Sequence, residues 1–401
     1  MTEIAIPYGA YWSTPFVRWQ GSLAHLHSLR FAAHVARRAL DRRAIPVDAF
    51  DHGVLGLTVP QRGSFYGLPW LMGLVGAPGV AGPTISQACA TGARALQSAA
   101  AEIREGAARV ALVVCADRTS NGPHLYYPAP DGPGGTGEHE NWILDNFERD
   151  PFAGFAMVET ADRVAAKHGI DTARQHAVVL ERYAQYADAL ADDGAFLRRF
   201  MDLPFEVPDS RFAKVRATLT GDEGIHPTTA ERLARLAPVR EGGTVTFGGQ
   251  THPADGSAGM VVTTPQRAAE LSREPGISIR VLAFGQSRVA AGHMPEAPVP
   301  AARRALERAG LEPAQLDAIK THNPFVVNDI VLADAFGIPT DRINRFGSSL
   351  VWGHPQGPTG LRAIIELIEE LAMRGGGHGL FTGCAAGDTG MAVVIRVEDR
   401  R

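Results

Sequence analysis

Two stretches of this chain repeat one strand–turn–helix pattern, and each sets a reactive side chain at its Gly-rich turn. In the first, Gly53 to Val59 reads as a strand, and Pro83-Thr84-Ile85-Ser86-Gln87-Ala88 as another running into Cys89. A helix of small residues from Gly92 to Glu105 follows, stopped by Gly106. Val110 to Ala116 is an unbroken apolar run, the mark of a strand covered on both faces. In the second, Ala301 to Ala309 is helical and Leu316 to Lys320 is a short strand. His354 then sits in Gly353-His354-Pro355-Gln356-Gly357, before a helix from about Gly360 to Met373. The strand Gly379 to Gly383 leads into Cys384, and Met391 to Val397 forms a final strand. Asp48 to Cys89 and Asp317 to His354 span similar lengths, so the chain reads as an internally duplicated α/β protein. A duplication of this kind brings two strand–helix switch points face to face, where open α/β sheets bind ligands.

The pattern lapses between about Thr119 and Thr244. That stretch holds a Pro/Gly-rich loop (Pro123 to Gly137), helical runs over Phe155 to His168 and Thr172 to Asp188, and a polar connection around Pro208 to Pro227. It reads as a lobe inserted into the first half. Gly243 to Gly248 is expected to return to strand, ending in a second strand over Asp255 to Val262. The expected division is 1–120 with 245–270 as the N-terminal half, 121–244 as the insert, and 271–401 as the C-terminal half. A helix is also expected over Ser22 to Leu40 from its apolar spacing.

A length of 401 residues exceeds one simple core and implies two or three domains. A net charge of −4 argues against a nucleic-acid partner, and no apolar run reaches the length of a membrane span. The N-terminus lacks a basic region followed by an apolar one, and the C-terminus is not a peroxisomal address, so a cytoplasmic location is expected. Three widely separated cysteines form no disulfide framework, and no pair has zinc-ligand spacing. Only Lys167, Lys214 and Lys320 are lysines, which leaves arginine to meet any phosphate.

Cys89 precedes a helix, where free N–H groups and the dipole favour a thiolate; a buried small residue fits the same pattern. His354 suits a base of near-neutral pKa, or equally a capping or core histidine. Cys384 at a strand end suits an acid/base thiol, or a buried small residue. Trp70, Leu71, Met72, Tyr126 and Tyr127 fall in expected loops that either line a substrate pocket or pack beneath themselves.

Taken together, five separated blocks resemble the thiolases in order and spacing. They are Gln87 to Ala93; Met157 to Asp162 with Arg174-Gln175-His176; Gly243 to Gly256; His322-Asn323-Pro324-Phe325; and Asn344 to Gly360 with Cys384. The resemblance implies a duplicated five-layered α-β-α-β-α fold and an acyltransferase that makes or cleaves the carbon–carbon bond of a 3-oxoacyl-CoA. It implies Cys89 as nucleophile, His354 as its base, and Cys384 as the acid/base at the α-carbon. His322 would help hold the thioester oxygen, and the N–H groups of Cys89 and Ala386 would hold the acyl–enzyme carbonyl. Coenzyme A is implied as substrate, with no permanently bound cofactor and no metal. Its phosphates would meet Arg211, Lys214 and Arg216 on the insert, and its pantetheine arm Thr251. A homodimer or homotetramer joined through the first-half sheet is also implied.

Three blocks depart from the common pattern. The usual Asn- or His-Glu-Ala-Phe is here His322-Asn323-Pro324-Phe325, so an acid is missing beside His322. The usual Cys-x-Gly is Cys384-Ala385-Ala386, which is strained if that position needs positive φ. Thr91 stands where serine is usual. These changes leave two alternatives: a 3-oxoacyl synthase-like enzyme using acyl-carrier protein, and a thiolase-like subunit that works only with a small partner subunit.

Overall fold

The computed structural model describes residues 2–401. Its centre is the apolar strand Val110–Arg118, buried over all but its last residue. It runs parallel to His52–Gly56 and antiparallel to Ala254–Thr263. The short strand Thr84–Ile85 pairs parallel with Leu55 and Gly56 and forms the sheet edge. In the second half, Ala318–His322 runs parallel to Gly376–Ala385, which pairs antiparallel with Thr389–Asp399, and that strand with Ile277–Arg288. The two-residue strand Ile4–Ala5 pairs antiparallel with both Ala254–Thr263 and Ile277–Arg288. It thereby joins the halves into one 11-stranded sheet.

The helices Thr91–Arg104 and Gly357–Met373 lie against each other between the two half-sheets. Ser28–Arg42 and Gly67–Val75 cover the outer face of the first half, and Pro298–Ala309 with Val326–Phe336 that of the second. This is the five-layered α-β-α-β-α arrangement. Close contact of the central helices depends on Gly92, where a Cβ would stand 2.5 Å from the Leu361 nitrogen.

Every residue of the second central helix from Gly357 to Ala372 is buried, so its charges need partners inside the protein. Arg362 forms a bidentate pair with Asp222 (2.6 and 2.8 Å) and bonds Glu366 at 3.0 Å. Its guanidinium also lies over the rings of Trp352 and Phe16, at 4.2 and 4.7 Å. Glu369 accepts hydrogen bonds from Tyr8, Tyr11 and Arg199. Asp222 lies in the stretch 121–244 expected as an insert, so Arg362 ties that stretch to the central layer.

The expected elements hold to within a few residues, with three corrections besides the expected loops that prove to be the strand His124–Tyr127 and the helix Gly67–Val75. The first helix starts at Ser28; Ser22 to His27 is a series of turns. Gly243 to Gly248 makes one bridge, Pro238 with Thr246, and then a 3-10 turn over Phe247–Gly249. There the N–H groups of Thr244 and Val245 donate to Asp162 Oδ1, which occupies donors a strand ladder would use. The connection around Pro208 to Pro227 contains Val215–Leu219, paired with Phe205–Pro208 as a hairpin.

Candidate active site

The edge strand delivers Cys89 through a strained turn. Ala88 has φ of +43°, a left-handed conformation that costs a non-glycine residue on the order of 1 kcal/mol or more. Thr91 holds it in place: its hydroxyl donates to the Ala88 carbonyl (2.7 Å) and accepts the Gln87 N–H (2.8 Å). Gln87 in turn accepts from Arg94 Nε at 2.6 Å. Cys89 is left half-buried, one residue short of the Ala90 N-cap. Burial pushes its thiol up to about 11, although the N–H groups of Ala386 and of Cys89 itself face the sulfur and pull the other way. The expectation that the helix start favours the thiolate is therefore corrected, because desolvation outweighs the two donors.

His354 projects from the turn before the second central helix. Its backbone N–H donates to the His252 carbonyl (2.9 Å), and Nδ1 lies 2.7 Å from Thr359 Oγ1. His322 ends the strand Ala318–His322, with Nδ1 3.0 Å from Ser349 Oγ. Gly383 leaves room for it; a Cβ there would stand 2.7 Å from the His322 Cβ. The two imidazoles stack, and the Nε2 atom of each is buried without a protein partner. Burial lowers both, His354 to about 3 and His322 well below the ordinary value, so both are neutral at pH 7.

One ligand-type atom each from Cys89, His322 and His354 lies within 4.8 Å of the others. Such a trio could hold a soft metal ion, but the ring centroids are 4.0 Å apart and the planes tilted by only 27°. Lone pairs in near-parallel planes do not converge at the roughly 2 Å zinc–nitrogen distance. The arrangement suits proton transfer and hydrogen bonding to one small group better than chelation.

Cys384 is buried beside Cys89, and its sulfur lies 3.3 Å from Asn328 Nδ2. Burial, then the neighbouring Cys89, raise its pKa well above the ordinary thiol value. Ala386 is not among the positive-φ residues, which here are Gly387 and Asp388, so alanine is unstrained at that position. Asp117 lies beneath. Its two oxygens accept the N–H groups of Thr58, Val59 and Gly357 and the Thr58 hydroxyl, which joins the halves under the site. Burial raises its carboxyl to about 7.

The sequence reading missed Asp117, Ser349, Thr359 and Asn328. Of these, only Thr359 had a local signal, lying one turn after His354 in the same Gly-rich block. The expected substrate-binding residues stand elsewhere. Arg211 and Lys214 are exposed in the hairpin turn, where their N–H groups face Asp209 Oδ1, and Arg216 is exposed on the strand that follows. Arg216 also lines an open cleft of about 370 Å³ with Arg18, His25 and Glu223. Thr251 donates its hydroxyl to the Ser349 carbonyl, close to the His322 network. The expected loop residues Leu71 and Met72 are fully buried in the helix Gly67–Val75, which also carries Trp70. Tyr126 and Tyr127 are exposed on a hairpin strand.

Comparison with known proteins agrees with this geometry. The thiolase N-terminal domain model matches residues 10–266 and the thiolase C-terminal domain model residues 277–397. The beta-ketothiolase BktB of Cupriavidus necator is 29% identical over 383 residues, covering 94% of each chain. The beta-ketoadipyl-CoA thiolase of Pseudomonas knackmussii is 30% identical over 398 residues, covering 95% of this chain and 96% of its own. Human mitochondrial 3-ketoacyl-CoA thiolase superposes with a TM-score of 0.89 at 24% identity, over 98% of this chain and 99% of that one. The same human protein solved in complex with CoA gives a TM-score of 0.86 at 24% identity, over 98% of each chain. With both domain models matched in order along nearly the whole chain, this protein belongs to the thiolase family, acyltransferases that work on acyl-CoA thioesters.

Proposed function

We propose that the protein catalyses thiolysis of a 3-oxoacyl-CoA, or the reverse Claisen condensation of two acyl-CoAs, through an acyl–Cys89 intermediate. The observation that carries this reading is the meeting of Cys89, His322 and His354 within 4.8 Å, with Cys384 beside Cys89. His354 Nε2 takes and holds the Cys89 proton as the sulfur attacks the thioester carbonyl, and the departing CoA thiolate takes the Cys384 thiol proton, leaving Cys384 as a thiolate. Because the resting pair is neutral, ionisation accompanies attack rather than preceding it. The N–H groups of Cys89 and Ala386 hold the oxyanion formed there. In the second step the Cys384 thiolate takes the α-proton of the acceptor thioester, and His322 holds the enolate oxygen. The enolate carbon attacks the acyl–Cys89 carbonyl and releases the Cys89 thiolate, which recovers its proton from His354. Thiolysis runs the same steps backwards.

The names of the relatives support CoA as the thiol carrier. We assign CoA to the 121–244 lobe. Arg216 is best placed for a phosphate, beside Arg18 on the polar cleft; Arg211 and Lys214, exposed on the hairpin turn, are assigned to the remaining phosphates and Thr251 to the pantetheine arm. A homo-oligomer through the first-half sheet is part of the reading, since Thr84–Ile85 has an unpaired edge to offer. Free thiol chemistry at Cys89 and Cys384 needs a reducing compartment, which favours the cytoplasm; no described helix is long and apolar enough to cross a membrane.

The test is the intact mass of the wild type and of Cys89→Ala after incubation with a panel of acyl-CoAs. A gain of one acyl unit in the wild type alone is expected. An adduct of equal yield in Cys89→Ala would remove Cys89 as the nucleophile.

A further inference from the structure

His322 faces the site through Nε2, but the tautomer that reaches it is decided at the other end of the ring. There the Ser349 hydroxyl has one proton and three neighbours. It accepts the Asn323 N–H at 3.1 Å and lies 3.0 Å from both His322 Nδ1 and Asn323 Oδ1. If the proton goes to Asn323 Oδ1, His322 donates from Nδ1 and turns a bare lone pair into the site. If it goes to His322 Nδ1, Nε2 carries an N–H into the site.

Three observations favour the second arrangement. Asn323 Oδ1 already accepts the Leu350 N–H at 3.1 Å, and its amide is anchored by Nδ2 on Asp329 at 2.7 Å. The amide oxygen is thus satisfied without Ser349, whereas His322 Nδ1 has Ser349 as its one hydrogen-bond neighbour. An imidazole nitrogen is also far more basic than an amide oxygen, and a carboxylate at position 323 would have claimed the hydroxyl proton instead. Finally, His354 must keep Nε2 bare to take the Cys89 proton, and two bare lone pairs on stacked rings would repel.

We propose that Ser349 is a positioning residue that fixes His322 in its Nε2–H form and so makes it the donor to the thioester oxygen. This inference rests on the two-step reading above. Asn323, standing where an acid is usual, leaves the Ser349 proton free for that role.

The experiment combines ¹⁵N-histidine NMR of the full chain with separate measurement of the two chemical steps. His322→Gln identifies the His322 signals. The wild type should show His322 protonated at Nε2; Ser349→Ala should shift it towards Nδ1–H, and Ser349→Thr, which keeps the hydroxyl, should not. Ser349→Ala should slow carbon–carbon bond formation or cleavage by about 10²-fold, the scale of one lost oxyanion donor, while acylation of Cys89 stays within a few-fold. Ser349→Thr should recover most of that loss. A wild-type His322 protonated at Nδ1 would overturn the proposal, as would equal loss of both steps in Ser349→Ala. If the wild type forms no acyl–Cys89 with any acyl-CoA, the two-step reading fails, while the NMR result still decides the tautomer.

Discussion

The imidazoles of His322 and His354 stack with ring centroids 4.0 Å apart and planes tilted by 27°. Two rings this close cannot both become imidazolium ions, and burial keeps both neutral. Their edges nevertheless differ. Thr359 stands behind one and Ser349 behind the other, so two histidines in one pocket can hold different tautomers and do different work.

The Cys89 thiol should behave as a thiol and not as a preformed ion pair. Its pKa is raised to about 11, so the thiolate fraction at pH 7 is on the order of 10⁻⁴. Alkylation of Cys89 by iodoacetamide should therefore rise about tenfold per pH unit from pH 7 to 10, read by mass spectrometry of its peptide. A rate that levels off below pH 8 would show a thiolate–imidazolium pair instead.

Asn328 should matter to one step alone. Its Nδ2 is the side-chain donor to Cys384 and stabilises the thiolate of that residue. A hydrogen bond to a charged group contributes about 1.5–3 kcal/mol, so Asn328→Leu should slow the carbon–carbon step by roughly 10- to 100-fold. Acylation of Cys89 in single-turnover mass measurements should be unaffected, and parallel loss of both steps would point to collapse of the site.

The Ala88 turn depends on Thr91. Replacing Thr91 by valine keeps its shape but removes both hydroxyl hydrogen bonds, leaving the Gln87 N–H without its acceptor. Stability should fall by about 1–3 kcal/mol, and Cys89 acylation should slow as the turn relaxes. Thr91→Ser should restore both, as followed by denaturant midpoint and adduct formation.

Asp222 is the partner whose loss Arg362 cannot absorb. Both side chains are fully buried, so solvent does not reach the guanidinium to replace the carboxylate. Asp222→Ala should cost about 3–5 kcal/mol, the scale for breaking one side of a buried ion pair, visible as a lower urea midpoint. An unchanged midpoint would show that Glu366 alone suffices for Arg362.

The sequence carried the duplicated α/β plan because its signals are local. Apolar runs such as Val110 to Ala116 and small-residue periodicity after Cys89 report burial directly, and the observed helix Thr91–Arg104 differs from expectation by one residue at each end. Cys89, His354 and Cys384 stood out as candidates for the same reason, each at the end of a strand or at a glycine-rich turn, whereas His322 was named only through the resemblance to the thiolases. Gly243 to Gly248 misled because its strand-like composition is overruled by Asp162, more than eighty residues earlier in the chain. What tertiary structure alone decided is the chemical state of the site. Burial raises the Cys89 thiol and lowers both imidazoles, the donors that select a tautomer or stabilise charge are Ser349 and Asn328 on separate elements, and the acceptor Asp117 ties the halves together beneath them. Desolvation and hydrogen-bond direction depend on what surrounds an atom in space, and in this protein those surroundings are assembled from both halves of the chain.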